Sequence, residues 1–404
     1  MPKILITGNG FDLSFDLPTG YSDFINICNK LKNCTEFNWA FLKDEVKVLK
    51  NINGFPTSTF DNFSDFVYTL NSNIWFKYLS REFSIITWID FEKHIEKALT
   101  LISLSLTEIK SETFLKTGRF PKSSMINYIE NYDEKNYDSY LTLIDFKILL
   151  HQVDYHYLPI LNSDFLKSIH DYYIDIDNSK IYSWILDDLS AFKELFQEYL
   201  SQIVLPLYEF LISDNKADLL KSIDYHFTFN YTPTFSKLIS ENIRTTFIHG
   251  DLKNKNIILG INSWNKVSEE DFNLIPFTKY FQKLNLNLEL KFVDEIENED
   301  KEYQYFFWGH SLDKSDAIYI NEVFDRVESL DKISSTGKII IIYHSESSKF
   351  SIIKNLIEIR GDKDIINKRR QNKLIFLHCD SEELKRELSS PIIKKDIEPD
   401  ISFM

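Results

Sequence analysis

Residues 3–7 form a short, β-branched apolar run halted by Gly8, and a helical pattern begins near Tyr21 or Ser22. A strand that leads through a glycine turn into a helix is how a parallel α/β sheet starts. From about Asp23 to Lys221, apolar positions recur at helical spacing in long segments, among them 37–49, 91–106, 140–149 and 191–211, joined by polar stretches of Asn, Ser and Asp. Strand-like runs return at 225–229, 245–248, 256–261, 305–308, 338–343 and 374–378, several of them separated by enough chain for a helix. The pattern predicts an α/β fold: a doubly wound, mostly parallel sheet of six or seven strands with helices on both faces. Residues 1–30 and 222–404 would build the sheet domain, and 31–221 a large, mainly helical insertion. Within the insertion, the Tyr-rich stretch 128–157 reads as aromatic helix packing; further along, the charge-dense 295–302 reads as a solvated loop.

Composition narrows the function classes. The 404 residues exceed one usual domain of ~150, and 43% hydrophobic with 15% aromatic residues supply a sizeable core. A formal net charge of −15 repels phosphate backbones, so nucleic acid is disfavoured as a partner, with the basic run 363–373 the one local exception. The three cysteines, Cys28, Cys34 and Cys379, include no CxxC pair, which excludes a disulfide framework and a four-thiolate zinc site within the chain and fits a reducing cytoplasm. A two-metal nuclease would need clustered carboxylates at strand ends, where only Asp12, Asp313 and Asp316 are suitable, so no metal is expected. The N-terminus has no leader pattern, and no run reaches the ~20 apolar residues of a membrane span.

The chain has only 10 glycines, so each is read as a backbone position that a Cβ would obstruct, and several sit at predicted strand ends. Gly8-Asn9-Gly10 follows the first strand and supplies GxG without the third glycine of GxGxxG. Asn230 ends the run 225–229, offering an amide that can fix a hydroxyl, a water or a carboxamide. His249-Gly250 stands at the next strand end, where an imidazole could act as a general base. Gly309-His310-Ser311 follows 305–308 and leads to Asp316. Ligands of open α/β sheets bind outside the carboxyl ends of the strands, so four such pieces belong on one rim and read together as a nucleotide site. Asp90 and Glu92 could reach the cleft from the insertion, or serve as a helix cap and first-turn acid. Lys279 and Gln282 share a helix face that could contact phosphate, or be solvated.

The segments GNGFDLSFDLPTGYSDF at 8–24, WIDFE at 88–92, FNYT at 229–232, FIHG at 247–250, LGIN at 259–262, FTKYFQK at 277–283 and GHSLDKSD at 309–316 resemble the bacteriophage abortive infection AbiH family nearly end to end. The resemblance implies a cytoplasmic bacterial antiphage protein. A more distant resemblance is to sirtuin-like NAD-consuming domains, which share the glycine turn with a proline at the same offset as Pro18, the asparagine, the His-Gly pair and the late G-x-S-L turn, in the same order. It implies a Rossmann-like sheet holding NAD or a related nucleotide. Gly8, Asn9 and Gly10 would lie by the pyrophosphate, Asn230 by the nicotinamide-side ribose and attacking water, and His249 would be the base. Asp12, Gly250, Gly309, His310, Ser311 and Asp316 would line the nucleotide, with Asp90, Glu92 and Lys279 as further candidates. The activity implied is that of an NAD+ glycohydrolase-like hydrolase; deacetylation is excluded with the missing zinc ribbon, and Asp12 stands where the sirtuin turn has serine. The alternative is a non-catalytic, nucleotide-dependent sensor or assembly module. In either case a phage component would be the trigger, and the insertion would act as lid, sensor or homo-oligomer surface.

Overall fold

The computed structural model describes residues 2–85, 90–117, 120–121, 137–151, 159–170, 173–211, 215–262, 269–288, 292, 303–329 and 337–389. Residues 128–136 and 152–157 of the Tyr-rich stretch and the whole of 295–302 lie outside them. The chain divides into two compact units: unit 1 comprises Met1–Pro18, Leu207–Lys255 and Glu289–Met404, and unit 2 comprises Thr19–Pro206 and Asn256–Leu288. Unit 1 is thus drawn from three stretches of chain.

Unit 1 is an α/β unit built on six parallel strands: β1 (Lys3–Thr7), β2 (Tyr225–Thr228), β3 (Thr245–Phe247), β4 (Gln304–Trp308), β5 (Lys338–Tyr343) and β6 (Leu374–His378). They lie in the order β3-β2-β1-β4-β5-β6, so the order reverses between β1 and β4. Every residue of β1 is buried, as expected of a central parallel strand covered on both sides. Ile4 and Ile6 pack with Phe227, Phe307, Ile341 and Leu374 in one apolar cluster. The registers place Thr7 opposite both Thr228 and Trp308, and Thr228 opposite Phe247. Four strands therefore end level, and the residues that follow them share one rim.

Unit 2 is mainly helical. Its helices include Tyr21–Leu31, Phe63–Ser72, Ile74–Ile85, Phe91–Thr117, Tyr137–Asp145 and Asn178–Tyr199, and among its described residues are two small antiparallel sheets, one of three short strands and one of two. Phe24 is fully buried and meets Phe76, Phe91, Phe192, Phe196 and Tyr199 edge-on, an arrangement that aligns each ring edge with a neighbour's π face. Two expectations are corrected here. The run 256–261 is not a strand of the sheet; it belongs to unit 2 and makes one isolated bridge, Ile261 to Thr278, because a short buried apolar run has no periodicity that separates strand from packed coil. Nor is 37–49 one helix: it holds the 3-10 turn Trp39–Leu42 and the start of the short helix Lys47–Lys50, with Asn38 capping the first through its side chain. Among the described residues no helix is long and apolar enough to cross a membrane.

A polar network runs through the middle of the sheet. The His226 ring lies between Thr7 Oγ1 at 3.0 Å from Nε2 and Thr245 Oγ1 at 3.0 Å from Nδ1, and it stacks on Phe235 at 4.1 Å. Thr7 Oγ1 also donates to Thr228 Oγ1 at 2.9 Å. Burial pulls the His226 pKa down from 6.5 to about 3, so the folded ring stays neutral. The unfolded chain then binds a proton that the folded chain refuses, and stability present above about pH 6.5 drains away as the pH falls towards 3. His226→Ala should cost ~2–4 kcal/mol at pH 7.5 by opening a cavity and removing a hydrogen bond from each of Thr7 and Thr245. In urea titrations at pH 7.5 and 5, the variant should also lose less stability than the parent on acidification; equal losses would mean His226 is not held neutral.

Candidate functional site

The site begins where β1 and β4 end. Gly8 N–H donates to Trp308 O at 3.1 Å and Gly10 N–H to Gly309 O at 2.8 Å. A Cβ on Gly8 would lie 2.7 Å from His310 Cα, one on Gly10 2.8 Å from Gly309 Cα, and one on Gly309 2.0 Å from Phe11 N. Gly309 also has φ +68, a conformation that side chains resist. The three glycines are thus spent on the approach of one backbone to another, and the N–H groups of Gly8 and Gly10 are already engaged. Asn9 is exposed and opens a five-residue helix, Asn9–Leu13.

Asn230 follows β2 and is buried; its Nδ2 donates to Gly8 O at 3.0 Å, and its own N–H donates to Thr228 Oγ1 at 3.1 Å. The amide is therefore held against the first glycine turn. Asp12, on the helix after that turn, is 0% exposed. Thr232 Oγ1 donates to its Oδ2, Thr234 Oγ1 reaches Thr232 Oγ1 at 3.4 Å, and Tyr208 OH lies 2.6 Å from Thr234 Oγ1. Asp12 Oδ1 receives no hydrogen bond among the described residues. Burial raises the Asp12 pKa from 3.8 to about 6, against the opposing pull of the Thr232, Thr234 and Asn230 side chains. A carboxyl poised near neutrality can exchange a proton at working pH.

A second cluster lies around Asp316. His249, after β3, brings Nε2 to 3.4 Å from Asp316 Oδ1, and His310, after β4, brings Nε2 to 3.5 Å from Asp316 Oδ2. All three are buried, and Phe229 meets the His249 ring at 5.2 Å and the His310 ring at 4.3 Å. Leu312 N–H donates to His310 Nδ1 at 2.9 Å, so Nδ1 is an acceptor and Nε2 is the nitrogen that faces the carboxylate. Leu312 reaches that position with φ +50, an uncommon backbone for a bulky residue and a cost accepted where the surroundings over-determine it. Gly250 has φ +82 and turns the chain after His249. Ser311 is exposed, and its carbonyl accepts from Asn355 Nδ2 at 3.0 Å.

The remaining candidates are in unit 2. Asp90 Oδ1 accepts from the N–H groups of Glu92 at 3.1 Å and Lys93 at 3.3 Å, as a helix cap does. Glu92 Oε2 lies 2.7 Å from Lys279 Nζ. Thr7, His226, Thr232, Thr234 and Tyr208 were not singled out from sequence; a threonine or histidine inside an apolar run carries no signal of its own. The basic run 363–373 turns partly inward: Lys368 is buried against Asp364.

The geometry defines an α/β protein with two buried carboxylates, two imidazoles and an amide gathered at the carboxyl ends of parallel strands. The description "Bacteriophage abortive infection AbiH" matches residues 4–334, and the chain belongs to that family. Membership points to a role in abortive infection. No curated protein and no solved structure matches the chain.

Two substitutions test this construction. Gly309→Ala should destabilise unit 1 by ~3 kcal/mol or more, since it adds a backbone clash to a positive φ; a parent-like melting curve would show that the turns can part freely. For Asp12, the folded chain binds the proton more tightly than the unfolded chain, so stability falls as pH rises from 3.8 through about 6. That difference corresponds to about 3 kcal/mol at ~1.4 kcal/mol per pH unit. Asp12→Asn should therefore gain on the parent as pH is raised from 4 to 7.5 in denaturation curves, and a constant gap between the two would mean Asp12 ionises freely.

Proposed function

We propose that this AbiH-family chain is a cytoplasmic antiphage protein whose unit 1 binds a nucleotide, NAD or a close relative, and hydrolyses its nicotinamide N-glycosidic bond. One observation carries the reading: Asn230 and His249 follow neighbouring strands that end level, with the Asn230 amide on the Gly8 turn and His249 against Asp316. The strand order, read as 3-2-1-4-5-6, is that of Rossmann dinucleotide-binding sheets, whose ligand lies at the reversal between the first and fourth strands. That supports a dinucleotide as the ligand, as the sirtuin-like resemblance implies.

In the proposed reaction, water oxygen bonds to C1′ of the nicotinamide ribose while the C1′–N bond electrons leave with neutral nicotinamide. The water proton passes to His249, and the other product is ADP-ribose. Asn230 positions the water and the ribose hydroxyls; Asp316 holds the His249 ring and stabilises its protonated form, as the carboxylate of a catalytic triad does. Asp12 faces hydroxyl groups, so it suits a ribose better than a pyrophosphate, which a carboxylate would repel. A phage component is the proposed trigger. The second reading, a nucleotide-dependent sensor without chemistry, is favoured by one feature: the N–H groups of Gly8 and Gly10 are engaged by the carbonyls of Trp308 and Gly309, where a dinucleotide phosphate would need them.

Incubating the purified protein with NAD, with and without phage lysate, and following ADP-ribose by chromatography separates the two. Hydrolysis should fall by ~10² or more in His249→Ala and in Asn230→Ala while melting temperatures hold. Parent-like turnover in both variants would remove these residues from the mechanism; retained nucleotide with no product in any state would favour the sensor.

A further inference from the structure

The helix Lys279–Asn285 of unit 2 is turned inside out. Its buried side chains are Lys279, Gln282 and Lys283, whereas Tyr280, Phe281 and Leu284 stand exposed. Polar partners hold the inner face in place. Lys279 Nζ pairs with Glu92 Oε2 at 2.7 Å, and Gln282 uses both ends of its amide: Nε2 donates to Leu259 O at 2.9 Å, and Oε1 accepts from Lys193 Nζ at 3.1 Å. Rolling the helix to hide its aromatic side would break that ion pair and both hydrogen bonds and leave their buried partners unsatisfied.

The apolar side continues beyond the helix. In the 3-10 turn Glu269–Phe277, Phe272 and Ile275 are three apart and therefore stand one above the other. Thr278 joins this turn to the helix without a loop: its N–H donates to Ile275 O at 3.0 Å, and its Oγ1 accepts from Phe281 N–H at 3.2 Å. Leu286 follows at the far end, its N–H donating to Gln282 O at 3.0 Å. Phe272 is 70% exposed, Tyr280 54% and Leu284 50%, with Ile275, Phe281 and Leu286 between 39% and 41%. At ~200 Å² for a large side chain fully in water, the six offer on the order of 600 Å² of apolar surface, the upper end of what a monomer usually shows.

This surface also lacks charge. From 272 to 288 the charged residues are Lys279 and Lys283, both buried, in a chain that is 26% charged and carries a net −15. Copies of so acidic a protein repel one another except where a neutral face is presented. A face made for an anionic membrane would carry lysines at its rim, and here the lysines belong to the buried side. Asn285 and Asn287, both exposed, supply a neutral polar edge.

We propose that the face made by Phe272, Ile275, Tyr280, Phe281, Leu284 and Leu286 is a self-association surface, whose occupant is the same face of a second copy of the chain. In a two-fold contact the same patch serves both partners, so an uncharged apolar face complements itself where an acidic one does not. Antiparallel crossing of the two helices would set Leu284 of one copy against Tyr280 and Phe281 of the other. Roughly 600 Å² per copy is three-quarters of the ~800 Å² of a standard interface, which makes the expected dimer a weak one, in the micromolar range. The contact uses no residue of the nucleotide reading of unit 1.

The test is sedimentation velocity of the full chain from ~1 to ~100 µM. The parent should pass from monomer to dimer in that range and grow no further, because a two-fold contact closes on itself. Leu284→Glu and, from the adjoining turn, Phe272→Glu should each weaken association at least about tenfold by bringing a carboxylate into a face that meets its own copy. Both positions are exposed, so melting temperatures at the lowest concentration should match the parent's; two variants on different elements keep the test open if one folds poorly. Tyr68→Glu, at an exposed aromatic on the helix Phe63–Ser72, should dimerise as the parent does. The proposal is overturned by a parent that stays monomeric throughout, whether or not it pellets with phosphatidylcholine vesicles. Growth beyond the dimer, parent-like association in either well-folded face variant, or loss of the dimer in Tyr68→Glu overturns it equally.

Discussion

Two turns touching backbone to backbone, after β1 and after β4, hold the rest of unit 1's rim in place. These strands are neighbours at the point where the strand order reverses, and the N–H to carbonyl bonds from Gly8 and Gly10 fasten their ends together. Asn230 is located by the carbonyl of Gly8, and the His310 backbone lies directly against Gly8. Leu312 then closes the β4 turn by donating to the His310 ring. A methyl group anywhere in the contact would push the two strand ends apart, and the amide and the imidazole would separate with them. Glycine at these positions is therefore a condition for assembling the side chains around them, whatever those side chains do.

Below and beside that contact, two buried carboxylates are given different chemistry by their surroundings. Asp12 is surrounded by hydroxyls, with burial the dominant influence, so its proton is held to about pH 6. Asp316 lies between two imidazoles, with one oxygen turned to each ring. Beneath them the sheet carries a third histidine, His226, kept neutral by burial and tied to threonines on both sides. The contrast is instructive: His226 lies within the sheet between two threonines, whereas His249 and His310, beyond the strand ends, share the Asp316 carboxylate.

Much of this arrangement was legible in the sequence, for a physical reason. Strands β1, β4, β5 and β6 are β-branched or aromatic runs stopped by turn chemistry, and a fully buried parallel strand has to look like that. Their glycine, asparagine and histidine terminators mark strand ends, and parallel strands present all such ends on one side, so the grouping of Gly8, Asn230, His249 and Gly309 could be read without coordinates. What each glycine admits could not. A missing Cβ accommodates a ligand or a neighbouring backbone equally well, and here Gly8, Gly10 and Gly309 admit one another. The run 256–261 deceived for a related reason: Ile257, Ile258, Leu259 and Ile261 are all buried, yet the backbone leads into a close contact with Phe277 and Gln282, not a ladder.

Lys279 and its neighbours show the limit of periodicity most clearly. Charged residues at i and i+4 on a short amphipathic helix ordinarily mark the wet side, yet Lys279 and Lys283 lie on the buried face, where the Glu92 carboxylate receives Lys279. Departures of this kind carry information because they are expensive. A folded chain retains only a small margin of stability, and an ammonium hydrogen-bonded to a neutral amide, or a carboxylate oxygen with no donor among the described residues, draws on that margin without improving the packing. Unit 1 has such a group in Asp12 and unit 2 has one in Lys193.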